Sequence, residues 1–587
     1  MGRMSSPLSL FLNFKNGVAL GLVVVLAGCP PPVANTPSTA SDTSSGTTDE
    51  TPSSTGETPT STSETPTPTT GVEEEFDGVI APATRTYRPL GGPEIAAASD
   101  PLLDYAELAI VSVGQTYAAV YAEAAARLEF AGVPEAVYQL RTRLPAQAEL
   151  PGLPGPQQVT VAQARVLDIY AQTFAGRPDV ASTDDGATAV IVSASDMLPL
   201  GPEDQFELYS YNTDTQLLEF PNFNPEDMSG SPQPDATEIG EWTIAWRPDT
   251  GRTGWPLVDP GKGDDLWLGH LVAGPLVPEP MGAELQDPWS FAQRYVLGEA
   301  AELSLAPMKA GAATAVSGTF APIASEVVSL DVRAGEFMAE LQIYDADLKS
   351  VGCFIAAVLE PGTDHPIVGM TPNLGGINVY GLDAPVDPEC MGDECDTMFV
   401  TPGDRVVDLE IGNPYPGDGT PTLIVQCSRY VFVADPGGGG VPDYLAADLI
   451  VQGRLADLAS KPIVPKLGLV RDLAVNGVEV PPDASLERVG VNPTISFTTP
   501  KFGAPDVYTI TIRTLDDTDG IDGPVLRRSL GSIRTEFTEV TIPDGFLEPG
   551  GHYYVQVTAE RGRGLTEAHA DSHDIWVSRA MTGVLTP

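Results

Sequence analysis

Leu547-Glu548-Pro549-Gly550-Gly551-His552-Tyr553-Tyr554-Val555-Gln556-Val557 is the stretch that decides the fold class of this chain of 587 residues. A Pro-Gly pair breaks the backbone direction, and a run of aromatic and β-branched residues follows, the composition of a turn feeding a strand. Within the run Tyr553, Val555 and Val557 share one face at period two. Upstream, Ile495 and Phe497, then Tyr508, Ile510 and Ile512, then Val540 and Ile542, repeat the same alternation. Short alternating runs between turn residues predict antiparallel sheets packed face to face.

The stretch is also close to the Leu-x-Pro-Gly-x-x-Tyr-x-Val-x-Val corner of fibronectin type III domains, and residues 468–587 resemble that family. The resemblance implies that Tyr553 is the corner tyrosine, its ring inward and its hydroxyl bonded to nearby backbone, with Val555 and Val557 in the core. Phe497 stands where the family usually has Trp. The implied role is a spacer or adhesion module without catalytic residues.

Working back from this domain, residues 187–440 carry short β-rich runs separated by Gly, Pro, Asp and Asn, among them Ala189–Ser193, Phe206–Tyr211, Glu241–Trp246 and Leu266–His270. Further strands are expected at Val327–Val332, Phe337–Ile343 and Leu423–Cys427. The runs predict one β-sandwich over 187–310 and a second over 311–440. Residues 85–183 are the hardest part. By propensity Pro101–Ala131 reads as a helix, with Ser99 or Asp100 as cap and Gly132 as stop. Against this, Leu128–Leu140 resembles the Phe-x-Gly-(Val/Leu)-Pro-x-Gly-x-Tyr-x-Leu hairpin of carboxypeptidase-regulatory-like sandwiches, with Ala136 in place of one glycine. The resemblance implies a small β-sandwich over 85–183, with a helical domain as the alternative. The expected fold class is therefore all-β, several antiparallel β-sandwich domains in series.

The amino-terminal 80 residues have a different character. Arg3 and Lys15 precede an apolar run of about 10 residues, too short to cross a bilayer core of about 30 Å as a helix. The run ends in Leu26-Ala27-Gly28-Cys29, which resembles the lipobox of bacterial lipoprotein precursors. That resemblance implies a signal peptide over 1–28 and diacylation of Cys29, giving a membrane partner through the lipid anchor. Residues 29–80 are then a Thr/Ser/Pro-rich stalk, because a segment with nothing to bury does not fold. Lipobox, stalk, sandwiches and terminal domain together resemble surface lipoproteins of Gram-negative bacteria, implying the outer membrane, since Pro30 is not a retention aspartate.

Charge narrows the partners. The chain holds 80 acids and 31 bases, and residues 85–587 alone hold 71 against 29, a net −42. Nucleic acids and anionic lipid surfaces require cationic patches and are excluded as partners. Four cysteines remain beyond Cys29, an even number in an exported chain, and disulfides Cys390–Cys395 and Cys353–Cys427 are the expected pairing among the three possibilities.

The chemistry-bearing motifs are few. No Gly-x-Ser-x-Gly, His-Glu-x-x-His, phosphate-cradling or dinucleotide-binding glycine pattern occurs, and five histidines leave little for a histidine-based hydrolase. The expectation is a non-enzymatic chain, with glycoside hydrolysis by paired carboxylates as the rival. Asp517, Asp519 and Asp522 lie in a Gly-punctuated acidic loop suited to calcium, against the simpler reading of a hairpin turn. His569, Asp571 and His573 alternate on one strand face and have the donors for a transition metal, against a polar loop. Trp242, Trp246, Trp255, Trp267 and Trp289 fall close together. They read first as core, and second as an aromatic face for a glycan or protein ligand.

Overall fold

The Pro549-Gly550 turn delivers Tyr553 into a buried site, where its hydroxyl accepts a 3.0 Å hydrogen bond from the Glu548 amide. This is the closed corner that the resemblance implied. Gly551 permits it, since a Cβ there would lie 2.7 Å from the Tyr553 ring carbon Cζ. Tyr553→Phe is expected to lower the stability of this sandwich by about 0.5–1.5 kcal/mol, the net loss of one hydrogen bond, readable by urea unfolding.

The computed structural model describes residues 76–587, except for 144–156, 224–228, 279–290, 345–351, 360–366, 369–372, 381–403, 414–421, 435–442, 516–528, 563–573 and isolated positions. Within it the carboxy-terminal module is two facing sheets. One joins Arg471–Val475, Thr494–Thr498 and Glu539–Thr541. The other runs in the order Ser529–Thr535, Val507–Thr514, Tyr553–Arg561, Ile575–Met581. Ile495, Phe497, Tyr508, Ile510, Ile512, Val540, Ile542, Val555 and Val557 fill the space between them, so the alternation read from the sequence is the core. The described residues are all-β in the main, with mostly antiparallel pairing and a few parallel neighbours.

The middle sandwich packs Ala189–Ser195, flanked by Ile239–Ala245 and, in parallel, Ala313–Thr319, onto a second sheet. That sheet is the hairpin Gln205–Ser210/Thr215–Glu219 followed by Trp267–Ala273 and Phe291–Glu302. Strand Ala313–Thr319, on the far side of the expected boundary at 310, thus completes this sandwich.

Residues 107–131 form strands and one short 3-10 turn, Glu123–Ala125, in place of the α-helix that propensity favoured. Glu107–Ser112 and Gln115–Ala118 pair across Val113-Gly114, both with positive φ (49° and 72°), the two-residue turn that matches strand twist. Alanine's helix preference is worth only tenths of a kcal/mol per residue, and tertiary burial overrides it. The Leu128–Leu140 segment is not a hairpin either. Arg127–Ala131 pairs with Gly78–Pro82, whereas Tyr138–Arg143 pairs with Glu107–Ser112 and Gln157–Ala162. The segment arches between sheets that share Leu128, Phe130, Tyr138 and Leu140 as a core.

Ala334–Leu341 is an α-helix where a strand was expected at Phe337–Ile343. Its buried residues Ala334, Phe337, Met338 and Leu341 recur at helical spacing, which outweighs the short apparent alternation. Glu340 reaches out of the helix to accept the Leu469 amide at 2.8 Å and to pair with Arg471, bonding the helix to the carboxy-terminal module.

The modules are not beads on linkers. One strand order continues from hairpin Gln205–Glu219 through Trp267–Ala273, Phe291–Glu302, Asn373–Tyr380, Gly352–Leu359, Thr422–Ala434 and Asp443–Arg454. It then crosses the carboxy-terminal module from Ile575–Met581 to Ser529–Thr535. From there it enters the first module through the parallel neighbour Gln157–Ala162, and ends at Tyr138–Arg143, Glu107–Ser112 and Gln115–Ala118. The first and last modules are therefore joined through a strand, while the second, at the other end of this order, meets the first through Asn212, whose side-chain oxygen accepts the Leu90 amide at 3.0 Å.

Candidate functional site

The middle sandwich holds the densest polar chemistry among the described residues. Leu266, Leu268 and His270 share a face of their strand, and the third of these apolar positions is given to an imidazole. His270 is fully buried, stacked on Phe206 with ring centroids 4.9 Å apart. Its Nε2 lies 2.9 Å from Asp204 Oδ2 and its Nδ1 2.7 Å from Glu299 Oε1. Both carboxylates are anchored further. Asp204 accepts the Gly201 and Ala273 amides at 2.6 and 2.8 Å, and Glu299 accepts the Leu198 amide at 2.7 Å. Burial works against charge on His270, but the two carboxylates prevail and hold its pKa above the ordinary value. Burial likewise opposes ionised Asp204, and the imidazolium and two amides take its pKa below the usual range. The cluster is a sealed imidazolium clamp joining two strands to the 196–204 loop.

A second network sets the loop that leads into the same strand. Arg177 grips Asp264 with two parallel 2.7 Å hydrogen bonds from Nε and Nη2 and reaches Asp179 at 2.6 Å through Nη1. Lys262 closes the ring onto Asp179 at 2.7 Å, and these two cations hold the Asp179 carboxyl down to about 2. Fork-to-fork pairing of this kind fixes geometry as well as charge.

Beyond the loop, Asp265 Oδ2 accepts the Trp267 indole N–H at 2.8 Å, and burial raises the Asp265 pKa. Trp267 is half-buried and lies almost parallel to Tyr209, with centroids 6.5 Å apart and planes 12° from parallel. Register continues the row across the sheet, with Gln216 opposite Tyr209 and exposed Glu302 opposite Trp267. On the adjoining strand Glu219 is partly buried, which pushes its pKa up to about 7. The folded state thus holds a proton that the unfolded chain releases near pH 4.3, so this residue reduces stability as pH rises from about 4.3 to 7. Glu219→Gln is expected to stabilise the module by about 1–2 kcal/mol at pH 8 and negligibly at pH 4, as read by paired urea melts.

The residues singled out in the sequence fall elsewhere. Trp242, Trp246 and Trp255 are buried in the middle core, with the Trp246 N–H bonded to the Pro256 carbonyl at 2.7 Å, so they form no exposed aromatic face. Trp267 alone of the described four reaches solvent. Cys427 is buried and in no disulfide, so the expected Cys353–Cys427 bridge is not formed. Register sets Cys427 opposite Phe354 and Cys353 opposite Ser428, one residue away from what a cross-strand bridge requires. Cys29, Trp289, Cys390, Cys395, Asp517, Asp519, Asp522, His569, Asp571 and His573 lie outside the described residues. Among those described, no group of three or more His, Cys, Asp or Glu side chains is arranged to hold a metal ion. The clamp of His270, Asp204 and Glu299 was not foreseen, although a histidine at an apolar strand position, alternating with Leu266 and Leu268, was its visible signal.

No known protein family and no curated protein matches the chain.

Proposed function

We propose that the chain is a non-enzymatic cell-envelope lipoprotein, anchored in the outer membrane through diacylated Cys29 and displaying β-sandwich modules that bind a protein or glycan. The observation that carries this reading is the unbroken strand order from Gln205–Glu219 to Gln115–Ala118, which joins the modules into one framework suited to presenting a surface. Two features support it. The only histidine clamp among the described residues is sealed from solvent, a structural use of groups that a hydrolase would expose. The net −42 of residues 85–587 favours solubility and rejects anionic surfaces. Two or more acyl chains on Cys29 supply the stable attachment that one chain cannot give.

Cys29→Ser is the test. Wild-type chain is expected in the detergent phase of a two-phase extraction and to be released by protease shaving of intact cells. The variant is expected to move to the aqueous phase. A wild-type chain found wholly in the aqueous phase, or protected from protease on intact cells, contradicts anchorage or display respectively.

A further inference from the structure

The row Gln216, Tyr209, Trp267, Glu302 crosses four strands on the face opposite the middle core, graded from buried to exposed. We propose that this strip, with Asp265, is a saccharide site whose ligand is a cationic amino sugar. The proposal deepens the display reading above and rests on it for the kind of partner.

Three observations meet at the strip. First, Trp267 is preorganised: Tyr209 lies parallel to it, and its N–H is tied to Asp265, so the indole is held as a fixed half-exposed surface. The C–H face of a sugar ring stacks on such a surface at little ordering cost. Second, hydrogen-bonding capacity is unspent. Gln216 is only 4 % exposed, and its Oε1 has no partner although its Nε2 donates to Glu207. Asp265 Oδ1 is likewise buried and unpartnered. Buried acceptors without donors mark places where a hydroxyl or ammonium is missing. Third, charge selects the sugar. Exposed Glu302 stands directly opposite Trp267, on a chain that repels uronic acids and sialic-type ligands, whereas an ammonium on the ring complements it.

The full-length chain in detergent, in 0.15 M NaCl, should be titrated calorimetrically with the deacetylated glucosamine trimer and, separately, with its N-acetylated form. The deacetylated trimer is expected to bind with quenching of tryptophan fluorescence. Trp267→Ala is expected to weaken binding about tenfold or more, Trp267→Phe only about threefold, and Glu302→Gln about fivefold, a range set by one stacking contact and one ion pair. Glu302 is exposed, so its variant folds and keeps the test decisive if the alanine variant does not. Absence of binding, equal affinity for the acetylated trimer, or binding untouched by the Glu302 and Trp267 substitutions overturns the proposal. The last outcome would assign binding to diffuse negative charge. None of these results changes the detergent partition of Cys29, so failure of this site and failure of the display reading are distinguishable.

Discussion

Replacement of His270 by Leu is expected to destabilise the middle sandwich by about 3–5 kcal/mol, because it leaves Asp204 and Glu299 buried and without their shared counter-charge. Leucine matches the apolar face of Leu266 and Leu268, so lost packing contributes little, and the cost falls on two carboxylates that burial has already desolvated. The pH dependence follows from the two shifts. His270 has its pKa raised, so its contribution is fully present below about pH 6.5 and is lost as pH rises through the folded value. Asp204 has its pKa lowered, so its contribution is present above about pH 3.9 and is lost as pH falls through the folded value. Stability from the clamp therefore peaks between about pH 4 and 6.5, and the Leu variant should lose that maximum. Calorimetric melting of wild type and variant across pH reads both effects. An unchanged profile would show that the clamp is neutral in the folded state.

Gly531→Val is expected to detach the first module from the last. Gly531 lies opposite Gln157 in the parallel pairing of Gln157–Ala162 with Ser529–Thr535. A Cβ at this position would overlap the Gln157 carbonyl oxygen and sit 2.6 Å from Phe546 Cε1. Neither backbone nor buried ring yields cheaply, so overpacking is expected to cost about 1–3 kcal/mol and to be relieved by strand departure. Hydrogen exchange should then show loss of protection at the alternate amides of 157–162 that face Ser529–Thr535, while those facing Tyr138–Arg143 and the strand Val507–Thr514, held on its other side by Tyr553–Arg561, stay protected. Val159 and Val161 belong to the core shared with the last module, so their exposure would also be visible as dye binding. Protection that persists in the variant would show that the modules are joined by contacts other than this strand.

What the sequence reveals of this molecule is what local pattern can encode. Tyr553, Val555, Val557, Ile510 and Ile512 alternate because a two-sheet core demands period two, and the structure places them in that core. Helix Ala334–Leu341 was obscured because its apolar positions include adjacent Phe337 and Met338, which an alternating template also accommodates in part. The Val113-Gly114 turn lay inside an alanine-rich stretch whose composition favoured helix, and only the left-handed backbone it adopts exposes its role. Pairing between modules leaves no local trace at all. Gln157–Ala162 and Ser529–Thr535 are about 370 residues apart, and neither strand's composition names its neighbour. The candidate strip was half legible. Trp267 stood out by type, but its distinction from Trp242, Trp246 and Trp255 is a matter of which strand face meets the core, and the carboxylates beside it come from register.

Anchorage is the claim on which display depends, and the mass of the native amino-terminal peptide tests it most directly. Chain isolated from its own cells, digested and analysed by mass spectrometry, is predicted to begin at Cys29 and to carry a diacylglyceryl thioether with a further acyl chain on the amino group. A native chain that begins at Met1, or at any residue other than Cys29, and bears no acyl mass would contradict the account.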